Sequence, residues 1–106
     1  MEFTSFTITL YNGGDLTDEM INKLEEISLY DSGSSRKEIH IYAKWDTHDI
    51  DMHKFSKYFP NDVFSVFAVP DYGNEWVRYW KNGNFQLSNQ SIIYDPFDEN
   101  ELIEWN

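Results

Sequence analysis

Five carboxylates gathered in one stretch are the side chains of this chain best suited to a definite task. From Asn82 to Asn106 there is no Lys or Arg, yet Asp95, Asp98, Glu99, Glu101 and Glu104 stand there among Phe97, Leu102, Ile103 and Trp105. Apolar anchors let such a segment dock and hold its acids in a fixed array. That is the physical requirement for occupying a phosphate-binding groove or another basic hot spot. A second group, His48, Asp49, Asp51 and His53, lies within six residues and has metal-ligand chemistry. Asp49 and His53, four apart, share one face of a helix, whereas His48 and His53, five apart, diverge. The set lacks a further anchor, and acids at a helix start are already favoured by the helix dipole. Asp46, Asp49 and Asp51 imitate part of a calcium loop, but the glycine and closing glutamate of such a loop are missing. The expectation is no metal and no cofactor.

The remaining chemistry is thinner. His40 falls on the polar side of a strand, with no Ser or Asp that the sequence pairs with it. The absence of cysteine excludes a thiol nucleophile, a disulfide scaffold and cysteine zinc sites. Neither a G-x-x-x-x-G-K-S/T nor a G-x-G-x-x-G phosphate cradle occurs. The chain is therefore not expected to be an enzyme. Trp76, Arg78 and Trp80 share one face of a strand, with Val77, Tyr79 and Lys81 on the other. Interleaved aromatic and basic residues on a sheet can stack single-stranded bases, or they can line a core and a hairpin surface. Charge argues against bases. Eight Lys and Arg stand against nineteen Asp and Glu, a net charge of −11, and nucleic-acid binding needs a basic footprint. Such a field repels nucleic acid and acidic membranes and attracts basic protein surfaces. Trp76 and Trp80 join the five acids as candidate partner-binding residues, as aromatic anchors of a hairpin.

Acidity of this degree with few aromatics would read as a disordered tail. Four Trp, seven Tyr and eight Phe instead indicate one folded acidic domain spanning residues 1–106. No apolar run approaches the roughly 18–20 residues of a membrane span. Met1-Glu2-Phe3-Thr4 lacks the basic start and apolar core of a signal peptide, so a cytoplasmic location is expected.

The elements that must position these residues follow from periodicity. Phe6, Ile8 and Leu10 alternate with Thr7, Thr9 and Tyr11 as in a half-buried strand, which Asn12-Gly13-Gly14 ends. Thr17 is the predicted N-cap of a helix with Asp18 and Glu19 in its first turn and Met20, Ile21, Leu24 and Ile27 on its apolar face. Leu16 has staple spacing to Ile21. After a loop at Asp31–Ser35, Ile39, Ile41, Ala43 and Trp45 alternate with His40, Tyr42 and Lys44. A second helix is predicted from about Asp49 to Tyr58, stopped by Pro60. Val63–Val69 is apolar on both faces, hence a central strand. Glu75–Lys81 and Asn84–Leu87 form a hairpin about Asn82-Gly83. Ile92-Ile93-Tyr94 is a further short strand, and Asp98 with Glu101 has capping-box spacing that starts a terminal helical turn, with Phe97 and Leu102 at staple spacing. Two helices on one face of a mainly antiparallel sheet make an α+β sandwich.

The stretch from Trp45 to Gly83 adds a resemblance. Phe55-Ser56-Lys57-Tyr58-Phe59-Pro60, the buried strand Val63-Phe64-Ser65-Val66-Phe67, the Gly73-Asn74-Glu75-Trp76 turn and the hairpin Tyr79-Trp80-Lys81-Asn82-Gly83 together are similar to the ferredoxin-like domain of small proteins carried by phages, plasmids and other mobile elements. The first strand and helix match by topology only. Many family members have a Glu- and Gly-rich segment after the core strand, where this chain has Ala68-Val69-Pro70-Asp71. The resemblance implies a ferredoxin-like fold and a mobile-element origin, and brings no catalytic residue. Acidity and implied origin together give the expected function: a non-enzymatic binding protein that inhibits a basic, nucleic-acid-handling host protein, as nucleic-acid mimics and anti-CRISPR-type inhibitors do. The alternative is a small intracellular accessory domain whose acidity serves solubility only.

Overall fold

The computed structural model describes residues 2–30, 33–88 and 95–105. Strand β1 (Thr4–Leu10) follows the period-two pattern: Thr4, Phe6, Ile8 and Leu10 are buried, and Ser5, Thr7 and Thr9 are half-exposed. Helix α1 (Asp18–Ser28) starts where the sequence places it. The Thr17 hydroxyl accepts from the Met20 N–H at 3.1 Å, with Asp18 and Glu19 in the first turn. Gly33–Ser34, expected in a loop, form a two-residue strand β2 opposite His40 and Ile39. A strand that short has no periodicity to read. In β3 (Ile39–Ala43), Ile39, Ile41 and Ala43 are buried while His40 and Tyr42 are exposed. Helix α2 (His48–Lys57) starts and ends one residue before the predicted bounds, and Met52 and Phe55 are its fully buried apolar side chains.

Strands β4 (Phe64–Pro70), β5 (Trp76–Lys81), β6 (Asn84–Ser88) and β7 (Ile103–Glu104) complete the sheet. Among the described residues it has seven strands, all antiparallel to their neighbours, in the order β2-β3-β1-β4-β5-β6-β7, with two α-helices. β4 is the central strand, as its apolar sequence predicts. One core cluster joins Leu24 of α1, Met52 and Phe55 of α2, and the buried side chains of β1, β3 and β4, so both helices cover the same face. The architecture is the expected α+β sandwich of ferredoxin-like type. β3 and β4 both run antiparallel to β1 and therefore parallel to each other, with α2 carrying the chain across.

The hairpin between β5 and β6 follows from two residues. Asn82 (φ 48) and Gly83 (φ 82) are both left-handed, as a two-residue primed turn requires. A Cβ at Gly83 would also lie 3.0 Å from Lys57 Cγ and 3.2 Å from His53 Nδ1, so a side chain there would press on both. Its N–H donates to Ser56 Oγ at 2.8 Å and its carbonyl accepts from His53 Nδ1 at 2.9 Å, which fastens the turn to α2.

Two sequence expectations need correction. The terminal turn at Glu99–Glu101 is a 3-10 turn, and it leads into β7, which pairs with β6 at Asn84 and Phe85. Phe67, expected in the core, is half-buried, because the register puts it on the face away from the helices. The strand expected at Ile92–Tyr94 lies outside the described residues.

Candidate functional site

Residues 95–105 wrap around the β6 edge of the sheet, held on both of its faces. On the face away from the helices, the Tyr79 hydroxyl donates to the Asp95 carbonyl at 2.6 Å. Gln86, opposite Tyr79 in register and 2% exposed, does more. Its Nε2 donates to the Pro96 carbonyl at 3.2 Å, and its Oε1 accepts from the Asp98 N–H at 2.8 Å. The Phe97 N–H donates to the Tyr11 hydroxyl at 3.1 Å, and the Phe97 ring meets Tyr11 and Tyr79 edge-on at 5.7 and 5.8 Å. Burial pushes the Tyr79 hydroxyl above its ordinary pKa, helped by Tyr11 and Asp95. Asp98 then caps the 3-10 turn, its Oδ1 accepting from the Asn100 N–H at 2.9 Å. On the helix side, Trp105 closes over Trp80, Phe85 and His53 at ring distances of 5.9, 6.1 and 6.4 Å.

This docking decides where the acids go. Asp95, Asp98 and Glu101 line an open groove of about 390 Å³ together with Leu87 and Pro96. Glu99 forms an ion pair with Lys81, and Glu104 is exposed on the edge strand opposite Asn84. Asp98, Glu99, Glu101 and Glu104 are all exposed, and Asp95 is half-buried. The two tryptophans do not join them. Trp80 is 1% exposed and covered by Trp105, so it supports the segment from beneath and offers no surface to a partner. Trp76 is half-buried against Phe6 and His48 on the helix side. Alternation placed both rings on one face of β5, but it did not say that this face is the core.

The histidine and aspartate group near α2 is drawn into separate structural roles. Asp51 is buried and accepts from Trp45 Nε1 at 2.7 Å and from the Thr47 hydroxyl at 2.8 Å. Asp49 forms an ion pair with Arg78 and lies 3.1 Å from His48 Nδ1. Burial alone would raise the Asp49 pKa, but the hydrogen bonds from His48 and Arg78 outweigh it and hold the carboxyl below its ordinary value. The Arg78 guanidinium stands over the Trp76 and Phe85 rings at 5.3 and 5.4 Å. Among the described residues, no three His, Asp or Glu side chains gather as a metal set.

His40 has partners that the sequence did not pair with it. Its Nδ1 lies 3.2 Å from the Thr7 hydroxyl across the β1–β3 ladder, and its Nε2 lies 2.8 Å from Glu38 Oε1. Hydroxyl, imidazole and carboxylate in that order have the connectivity of an activated nucleophile. The backbone around Thr7 cannot complete such a site. β1 is flanked by strands on both sides, so its amides belong to the ladder and are not available as oxyanion donors. The residues that sequence reasoning missed are Tyr11, Tyr79 and Gln86, which hold the acidic segment. One signal was present: Gln86 interrupts Phe85-Gln86-Leu87, and a glutamine in an apolar strand asks for hydrogen-bond partners.

Among the described residues, no helix is long and apolar enough to cross a membrane. Comparison with protein-family models, with curated proteins and with solved structures gives no match to this chain.

Proposed function

We propose that this chain is a non-enzymatic binding protein whose docked acidic segment occupies a basic, nucleic-acid-handling surface of a protein partner, as a mimic of nucleic acid. One observation carries the reading. The exposed carboxylates of Asp98, Glu99, Glu101 and Glu104 belong to a backbone fastened by Tyr79, Gln86, Tyr11 and the β6 edge. Phosphates in a nucleic acid are spaced by a stiff backbone, and a groove built for them selects ligands whose charges are already in place. Acids on a fastened segment lose less conformational entropy on binding than acids on a free tail. The net charge of −11 supplies long-range attraction to a basic surface, and complementary charge raises association rates. A phage or other mobile-element source, a host-cell target and an anti-CRISPR-type inhibitory mode belong to the same proposal. They rest on the resemblance of the Trp45–Gly83 stretch.

The test is capture of partners from host lysate on the immobilised chain, followed by competition with duplex DNA. Mimicry requires that the captured protein be basic, that DNA displace it, and that the chain itself leave DNA unbound. A partner retained at saturating DNA contradicts mimicry.

A further inference from the structure

A different corner of the molecule carries grouped aromatics that the core does not use. On the sheet face away from the helices, Ser5 stands in register between Tyr42 and Val69. The Phe3 ring leads into this row and stacks on Tyr42, with centroids 5.4 Å apart and planes 25° from parallel. Tyr72 is 81% exposed, Tyr42 61% and Phe3 45%. Single exposed apolar residues are ordinary, but a contiguous group marks an interaction surface. The carboxylates beside the group are held in place. Asp71 Oδ2 accepts from the Tyr42 hydroxyl at 2.6 Å, and Glu2 Oε2 accepts from the Tyr72 N–H at 2.8 Å. The Asp71 N–H in turn donates to the Phe3 carbonyl at 3.0 Å, tying the two chain segments together.

Exposed ring faces beside fixed carboxylates suit a cation, and the molecule already shows one there. Lys44 Nζ lies 5.2 Å from the centre of the Phe3 ring. Lys44 is exposed and is placed to give way to a cation that binds better. A guanidinium is such a cation, because it stacks on rings and pairs with a carboxylate through two donors at once. We propose that this corner takes up an arginine side chain of a basic protein partner, which displaces Lys44 from Phe3 and pairs with Asp71 or Glu2. The proposal rests on the functional reading above for the charge class of the partner, and its residues are separate from the acidic segment. Nucleic acid is the other occupant that stacked rings attract, and the net charge of −11 opposes it.

The two surfaces are separated by an NMR titration of the isotopically labelled full chain. The probe is an acetylated, amidated octapeptide of glycine, serine and two arginines. Amide shifts are expected at Phe3, Tyr42, Asp71 and Tyr72. Phe3→Leu, which keeps an apolar contact but removes the ring, is expected to weaken these responses about three- to tenfold. Asp71→Asn does the same should Phe3→Leu disturb the fold. Lys44→Ser frees the ring and is expected to tighten the corner about twofold or more while leaving the shifts of residues 98–104 unchanged. Shifts confined to residues 98–104, or corner shifts indifferent to Phe3→Leu and Asp71→Asn, overturn the corner and leave the acidic-segment reading standing. Single-stranded DNA shifting the corner amides overturns it as well. Corner shifts that persist when Glu99, Glu101 and Glu104 are all changed to Lys show that the corner acts independently of that segment.

Discussion

Replacing Gln86 tests whether the acids are held or merely attached. The side chain is fully enclosed and spans two backbone groups of the acidic segment, the Pro96 carbonyl and the Asp98 N–H. Each of these hydrogen bonds is worth about 0.5–1.5 kcal/mol net. Gln86→Leu keeps the volume and removes both, so the loss is about 1–3 kcal/mol, reduced wherever water reaches the freed groups. Urea unfolding gives the total. Hydrogen exchange locates it: the Asp98 amide should lose protection, while amides of β1 and β4 keep theirs relative to the global stability of the variant. In a domain of this size a loss of 1 kcal/mol lowers Tm by roughly 4–8 °C. Partner association should weaken although no acid has been touched, because the array is no longer fixed. Unchanged exchange at Asp98 together with a stability change below about 0.5 kcal/mol would refute the role assigned to Gln86 and leave the docking to Tyr79, Tyr11 and the β6 edge.

Two further outcomes are expected. Leu24→Ala or Phe55→Ala removes a fully buried side chain from the core cluster, and each should cost about 2–5 kcal/mol in urea unfolding. Asp49 concerns pH. Its folded pKa is held below the ordinary 3.8 by His48 and Arg78, so its pairing stabilises the fold above that value and is lost as the pH falls through the lower, folded value. The stability advantage of the natural chain over Asp49→Asn should therefore shrink on acidification below pH 3.8, and an advantage that grows there contradicts the pairing.

Local rules carried much of the fold. Alternation in β1 and β3, the Thr17 cap and the Asn82-Gly83 turn depend on neighbours in sequence, and each stands in the structure as the residues imply. What the residues could not disclose depends on contacts distant in sequence. β5 has aromatics on both faces, Trp76 and Trp80 on one and Tyr79 on the other, so alternation could not distinguish the helix-covered face from its reverse. β2 and β7 are two residues each and are defined by pairing, not by pattern. The candidate site divides in the same way. The acids are evident as charges in the sequence, but their fastening runs through Tyr11, Tyr79 and Gln86, up to 86 residues away. His40 acquired Thr7 by strand register, which no spacing in the sequence encodes.

The salt dependence of partner association tests mimicry most directly. Contacts between exposed charges are screened over a Debye length of about 8 Å at 0.15 M ionic strength. Acids that stand in for phosphates must therefore lose affinity steeply between low and high salt, mostly through slower association. Changing Glu99, Glu101 and Glu104 to Lys should slow association and flatten the salt dependence while far-UV circular dichroism stays the same. Glu99 gives up its pair with Lys81 in that variant, an exposed contact worth at most about 1 kcal/mol of stability. Mimicry requires a steep salt dependence in the natural chain that disappears on charge reversal. An affinity flat from low to high salt and indifferent to the reversals would contradict it.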